Sequence, residues 1–517
     1  MTRLRPKPPG KAAGVPTAAA SINAIARATA TSSGHAVPES PPVRAASIER
    51  RRAVAVLVLA VALGGILRFS NLGGSEMSAD EGSSWAAASA SSVSQVLQLQ
   101  PRLNPGKFAV HEIALHEWAR LFGDGLAAMR ALSAMAGTVG IVVVFFLARD
   151  LLGLSPAVTR GENENDVQES AETPSYVLPA AFAAMLFAVN LVFIKYAREA
   201  RMYSVAALFG LLQIDFFLRS WRRATAAAFL FTAVFTALAI ASTFTMLLIL
   251  VPEVLWLAYL TWPRARPSYR RAAIVGLALT GGLFLLIPPA IIYLRVRAHA
   301  PALLAYAWAP SPPFWAPVSM FNKATGSITF PFMLGLAFWG ITGHWRPGRD
   351  AIVFMLLWML VPPVMVLCAS YLIRPAFVER YMLVSFVPFF LLVAVGICSV
   401  PGYPAKSALL ALVTLLALGH VYSYQRHPHD VQWREAVQAA AGTTGRTIAV
   451  APPFAADVVR YYLRDSHSDW SVTTGDAKSA AVAIVADSGV SPSEAARIAT
   501  TCPRLLMRLR GVIVRVH

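Results

Sequence analysis

Residues 50–69 read RRRAVAVLVLAVALGGILRF: three arginines, then an unbroken apolar run that closes on Arg68 and Phe69. A helix needs about 20 apolar residues to cross a hydrocarbon layer of about 30 Å, and arginines at one flank hold that end in the cytosol. The run lies too far into the chain for a cleaved export signal, so it is expected to stay as an anchor. Comparable blocks recur at about 126–149, 176–196, 202–218, 224–243, 245–262, 272–293, 327–343, 351–371, 381–400 and 406–423. With the anchor this predicts about eleven spans. The expected fold class is therefore an α-helical polytopic membrane protein.

Composition agrees. Of 517 residues, 56% are hydrophobic and 14% charged, and the mean hydropathy is +0.56. Soluble domains carry nearer a quarter charged residues, and disordered chains lack this much apolar surface, so both classes are excluded. The net charge is +18. Nucleic acid is not the expected partner, because retention of basic loops in the cytosol accounts for such a balance. Cys368, Cys398 and Cys502 form no ligand or disulfide spacing. Arginine outnumbers lysine 38 to 7, as in GC-rich bacterial genomes. The expected location is the bacterial cytoplasmic membrane.

Three segments follow. Residues 1–48, rich in Pro, Ala, Ser and Gly, read as a disordered cytosolic tail. Residues 49–425 hold the spans. Residues 426–517 alternate helix-like and strand-like pieces and read as a small α/β domain. With the amino terminus in the cytosol, alternation puts the basic loops at 219–223, 264–271 and 344–349 inside, along with the acidic loop 153–175. The same alternation puts 70–125, the turn at 195–201, 294–326, 372–380 and the terminal domain outside.

Chemistry is expected on that outer face. Ser78-Ala79-Asp80-Glu81-Gly82-Ser83-Ser84-Trp85 sets two carboxylates just past the first span. A carboxylate in a partly desolvated site can act as a general base. Ser78 with Glu81 three residues on is equally a capping box, and the two readings are compatible. Lys195, Arg198 and Arg201, with Tyr203, form an outer cationic turn, and Arg374, Glu379, Arg380 and Tyr381 form a second. Positive charge is disfavoured on short outer loops, so both clusters point to an anion such as a lipid phosphate, against the plainer reading of interfacial anchoring. His111 and His116 are five residues apart, on different helix faces, and do not match the zinc-protease spacing. No metal site and no phosphate-cradling glycine loop is found.

In this order the motifs resemble those of the GT-C superfamily of polytopic membrane glycosyltransferases. The similarity is to the branch of protein O-mannosyltransferase-like proteins, lipid A aminoarabinose transferases and lipopolysaccharide-core galacturonosyltransferases. It rests on Asp80-Glu81 after the first span, Asn104-Pro105, Leu121-Phe122-Gly123 with Arg130, Arg198-Glu199-Ala200-Arg201-Met202-Tyr203, and Glu379-Arg380-Tyr381 with Pro388. Gln432-Trp433-Arg434-Glu435 resembles the opening of the outer domain in many members. The family often has His-Pro-Pro where this chain has Asn104-Pro105-Gly106, so a role for that histidine does not transfer.

The resemblance implies inverting transfer of a sugar from a polyprenyl-phosphate donor to a lipid, glycan or protein acceptor outside the cytosol. By it, Asp80 is the base and Glu81 its support. Lys195, Arg198, Arg201, Tyr203, Arg380 and Tyr381 hold the donor phosphate, with no metal or other cofactor required. A lipid-linked sugar flippase or transporter, and a polysaccharide ligase or polymerase, remain alternatives.

Overall fold

The computed structural model describes residues 41–154, 176–262, 266–298, 310–343, 347–373, 375–426, 430–443, 445–464, 469–474, 480–487 and 489–517. Most of the expected tail, nearly all of the acidic loop and Arg374 lie outside these residues.

The first span is α1 (Pro41–Phe69). Three short amphipathic helices follow, α2 (Ala79–Ala88), α3 (Val93–Leu103) and α4 (Val110–Phe122), before α5 (Leu126–Leu152). Next come α6 (Val177–Val189), α7 (Leu191–Ala197), α8 (Tyr203–Arg223), α9 (Ala226–Ser242) and α10 (Leu250–Thr261). Then follow α11 (Arg266–Phe284), α12 (Ile287–Ala298), α13 (Ala316–Thr325), α14 (Thr329–Thr342), α15 (Arg349–Leu372), α16 (Val387–Cys398) and α17 (Tyr403–Arg426).

Among the described residues, seven helices are long and apolar enough to cross a membrane, or up to nine if each of two bent pairs is one span. Each of the eleven expected blocks lands on a helix or a bent pair. Two fall short as spans: α8 is interrupted by Gln213, Asp215 and Arg219, and α9 has 17 residues. The bend of 58° between α6 and α7 has a local cause. Asn190 caps α7 by accepting from Val192 N (3.1 Å), and its amide donates to Ala324 O (2.9 Å). This break delivers the turn at 198–202.

Burial sorts the spans. Over the most apolar 18 residues, Glu379–Cys398 is 94% buried against 17% for Tyr403–Arg426, so the former is a central helix and the latter peripheral. Gly340 and Gly396 let α14 and α16 approach backbone to backbone, where a Cβ on either would meet a carbonyl oxygen of the other helix. Small residues serve this purpose where lipid removes the hydrophobic drive between helices.

The terminal region contains α18 (Trp433–Ala441), β1 (Thr447–Ala451), α19 (Ala456–Leu463), β2 (Ser471–Thr474), β3 (Val482–Ala486), α20 (Pro492–Thr501), β4 (Arg504–Leu509) and β5 (Val512–Val516). The sheet order is β2-β1-β3-β5-β4, with β1 parallel to both neighbours and β5 antiparallel to β3 and β4. Alternation divides its faces. Ile448, Val450, Val482 and Ile484 pack with α18, α19, Met77 and Met129, whereas Ala449, Ala483 and Val485 pack with Ile498 of α20. The sheet thus shares one core with the loop region that precedes α5.

Candidate active site

α2 begins with the expected cap. Ser78 Oγ accepts from Glu81 N (3.2 Å), and Glu81 Oε2 accepts from Ser78 N (2.9 Å), completing the capping box. Glu81 does more than cap. Its carboxylate accepts from Arg130 Nε (2.7 Å) and Nη2 (2.8 Å), and from Ala200 N (2.8 Å). Arg130 also donates to Leu72 O, Ser75 and Glu76 O, which gathers the loop after α1 onto α5. Burial alone would push the Glu81 carboxyl up, but the Arg130 hydrogen bond and charge and the two amides outweigh it and hold the carboxyl low. With every oxygen engaged and the side chain fully buried, Glu81 is a strut.

Asp80 is placed differently. Its side chain keeps 48% of its surface exposed, which leaves the carboxylate open to a reactant. Arg201 Nη2 stands 3.9 Å from Asp80 Oδ2, and Arg380 Nη1 stands 3.5 Å from it. The Arg201 charge, opposed by burial and reinforced by Arg380 and Lys107, holds the Asp80 carboxyl below the ordinary carboxylate range. Both guanidinium groups lie over the Tyr203 ring, at 5.7 and 5.5 Å, and Arg380 also lies 5.8 Å from the Tyr381 ring. Asp80, Arg201, Tyr203, Arg380 and Tyr381 therefore converge, from segments about 120 and 300 residues apart.

Arg198 and Lys195 sit to the side. Arg198 donates to Leu67 O (3.1 Å), Ser70 Oγ (3.3 Å) and Asn71 O (3.4 Å), tying off the end of α1. Lys195 rests against the rings of Tyr196 and Tyr424.

The floor of the site contains residues that sequence reasoning did not select. Arg201 donates to Asp80 O (2.7 Å) and Ser84 Oγ (3.1 Å), and the Asn104 amide, oriented by this network, accepts from Arg201 Nη2 (2.8 Å). Ser84 Oγ in turn donates to Glu112 Oε1 (3.4 Å), which pairs with the buried Lys107. Burial pushes the Lys107 ammonium down to about 8, with Glu112 opposing. A lone lysine beside Pro105-Gly106 in an expected outer loop was the available signal for it. Glu199, beside Arg201, is pushed up to about 7 by burial and then by the Glu81 charge. Among the described residues, no three His, Cys, Asp or Glu side chains group as metal ligands.

The fold has counterparts among solved structures. The chain superposes on the crystal structure of ArnT from Cupriavidus metallidurans in the apo state with a TM-score of 0.58 and 12% identity, covering 90% of this chain and 98% of that one. The fold is that of the GT-C glycosyltransferases. ArnT bound to undecaprenyl phosphate gives 0.56 and 13% identity, over 89% of this chain and 97% of that one. Within the GT-C fold, residues 114–268 match the family model described as the protein O-mannosyl-transferase TMEM260 N-terminal domain. No curated protein matches the chain significantly. The chain is thus a multi-pass membrane protein with the GT-C fold, and its convergent cluster is built around Asp80, α8 and the Arg380 turn.

Proposed function

We propose that this protein transfers a sugar from a polyprenyl-phosphate donor to an acceptor hydroxyl at the outer face of a bacterial cytoplasmic membrane. The observation that carries the reading is the exposed Asp80 carboxylate set between Arg201 and Arg380. The family match to a protein O-mannosyl-transferase domain and the likeness to ArnT holding undecaprenyl phosphate support the substrate class.

In this mechanism the acceptor oxygen attacks the anomeric carbon, a C–O bond forms, and the bond to the phosphate oxygen breaks with its electron pair. The acceptor proton goes to Asp80. One displacement inverts the carbon. The leaving polyprenyl phosphate gains a negative charge, and preorganised cations at that position stabilise its development. Arg380 is the more exposed of the two guanidiniums and meets the phosphate first, while Arg201 supplies charge from behind.

The resting site keeps Asp80 ionised at the expense of basicity. A bound phosphate draws on the same guanidinium charge and raises the proton affinity of Asp80 when the base is needed. Glu81 holds the helix, and the donor lipid lies among the spans.

Full-length protein in proteoliposomes tests this. A donor carrying labelled sugar should lose it to an envelope glycan, lipid or protein extract with release of free polyprenyl phosphate. Movement of intact donor across the bilayer without bond cleavage would overturn the proposal in favour of transport.

A further inference from the structure

The terminal domain meets α2 beside Asp80. Gly82, two residues after Asp80, faces the backbone of α19: a Cβ there would stand 2.8 Å from Val458 N, 3.1 Å from Val458 Cα and 3.2 Å from Asp457 C. These are backbone atoms and cannot turn aside. The Tyr462 hydroxyl accepts from Met77 N (2.9 Å), just ahead of the Ser78 cap. The Tyr461 hydroxyl accepts from Leu126 N (3.1 Å), the first amide of α5. Gly125, which precedes it, has no side chain to cap that helix, so the acceptor comes from 335 residues downstream.

These two amides bracket the machinery. Met77 leads into the helix that carries Asp80 and Glu81, and Leu126 lies one turn before Arg130, which grips Glu81. The contact extends outward. Arg464 pairs with Asp124 (2.6 Å), Asp124 accepts from Trp85 Nε1 (3.1 Å), and the Trp85 ring meets Tyr461 edge-on at 5.4 Å. Glu76 accepts from Arg434 N (3.2 Å). A helix as short as α2, with 10 residues, has no lasting direction of its own and takes it from what packs against it.

We propose that the terminal domain is a positioning element of the reaction centre, and that Gly82, Tyr461 and Tyr462 are positioning residues that set where the Asp80 carboxylate points. The inference rests on the reading of Asp80 as the base.

The test uses the full chain in proteoliposomes, with Gly82→Ala, the double variant Tyr461→Phe/Tyr462→Phe, and Asp80→Asn as reference. Turnover is expressed per donor-binding site, so that unfolded protein is not counted. A displacement of about 1 Å in a catalytic group lowers rate on the order of 10²-fold. Each positioning variant should lose turnover on that order while donor KM is unchanged, and the acid limb of kcat/KM should move. A role in folding alone lowers the number of donor-binding sites and leaves turnover per site as it was. If Gly82→Ala yields no donor-binding protein, the tyrosine pair decides.

Arg446→Ala, at an exposed ion pair with Asp469 in the same domain, serves as control and should match wild type. Turnover per site within a few-fold of wild type in the tyrosine double variant, with Asp80→Asn inactive, overturns this inference alone. An active Asp80→Asn instead removes the reading beneath it.

Discussion

Arg201 engages Asp80 at two points: Nη1 donates to the Asp80 backbone carbonyl at 2.7 Å, while Nη2 stands 3.9 Å from the carboxylate Oδ2. The first contact locates the backbone; the second sets the charge without closing a tight pair. Glu81, one residue on, is held by a bidentate grip from Arg130 at 2.7 and 2.8 Å. Adjacent carboxylates thus receive opposite treatment, one saturated and one left open, and this contrast is the ground for proposing Asp80 rather than Glu81 as the base.

Asp80→Asn keeps the shape of the side chain, and in the first turn of α2, behind the Ser78 cap, it forfeits only a helix-dipole contribution of about 0.3–1 kcal/mol. It cannot take a proton. Turnover should fall about 10²–10⁴-fold with donor binding retained, measured by sugar transfer and by donor titration. Retained turnover would falsify the base assignment.

Arg130→Leu removes the partner of a buried carboxylate whose side chain is 1% exposed. Leaving such a charge unpaired typically costs about 3–5 kcal/mol. Thermal unfolding in detergent should show a large loss of stability, far beyond that of Arg120→Ala at an exposed ion pair.

Arg380→Ala should weaken donor binding. A charge-assisted contact to a phosphate is worth about 1.5–3 kcal/mol, or roughly 10–150-fold in affinity. Arg380→Lys should recover part of it. Equal donor affinity in the alanine variant and the wild type would remove Arg380 from the phosphate site.

The pH profile carries a signed expectation. kcat/KM reports the free enzyme, in which the Arg201 charge holds Asp80 below the ordinary carboxylate range. Its acid limb, where the base becomes protonated, should therefore lie below that range. kcat reports the donor complex, where phosphate offsets the guanidinium charge, so its acid limb should lie higher. The reverse order would contradict the electrostatic account.

Orientation is checked by a single thiol. Ser493→Cys, exposed at the start of α20, placed in a chain lacking Cys368, Cys398 and Cys502, should react with an impermeant reagent added outside intact spheroplasts. Labelling only after lysis would invert the topology.

Legibility divided along physical lines. The spans were readable because bilayer thickness imposes a local requirement: each must supply its own run of apolar residues. The capping box at Ser78 and Glu81 was readable for the same reason, its partners being three residues apart. Strand β2 was not, since Ser471-Val472-Thr473-Thr474 has little apolar content and exists as a strand by pairing with β1. Asn104 was noted as part of the Asn104-Pro105 likeness and as a departure from a resembled motif, with no role of its own, and its amide lies against Arg201. Arg198 shared the cationic turn with Arg201, but a helix end lies within its reach and its donors went to Leu67 and Ser70.

By itself the sequence determined the membrane-spanning architecture, the terminal α/β segment and the short list of clustered charges from which a site could be built. Hydropathy and capping are local properties, written over a few turns of helix. Only the tertiary structure decided that Asp80 is open and Glu81 closed, that Arg201 and Arg380 share Tyr203 while Arg198 does not, and that Tyr461 and Tyr462 reach back to Leu126 and Met77. Those outcomes depend on charges and hydrogen-bond donors brought within a few ångströms from segments hundreds of residues apart. Coulombic energy and desolvation follow distance in space, which spacing along a chain does not encode.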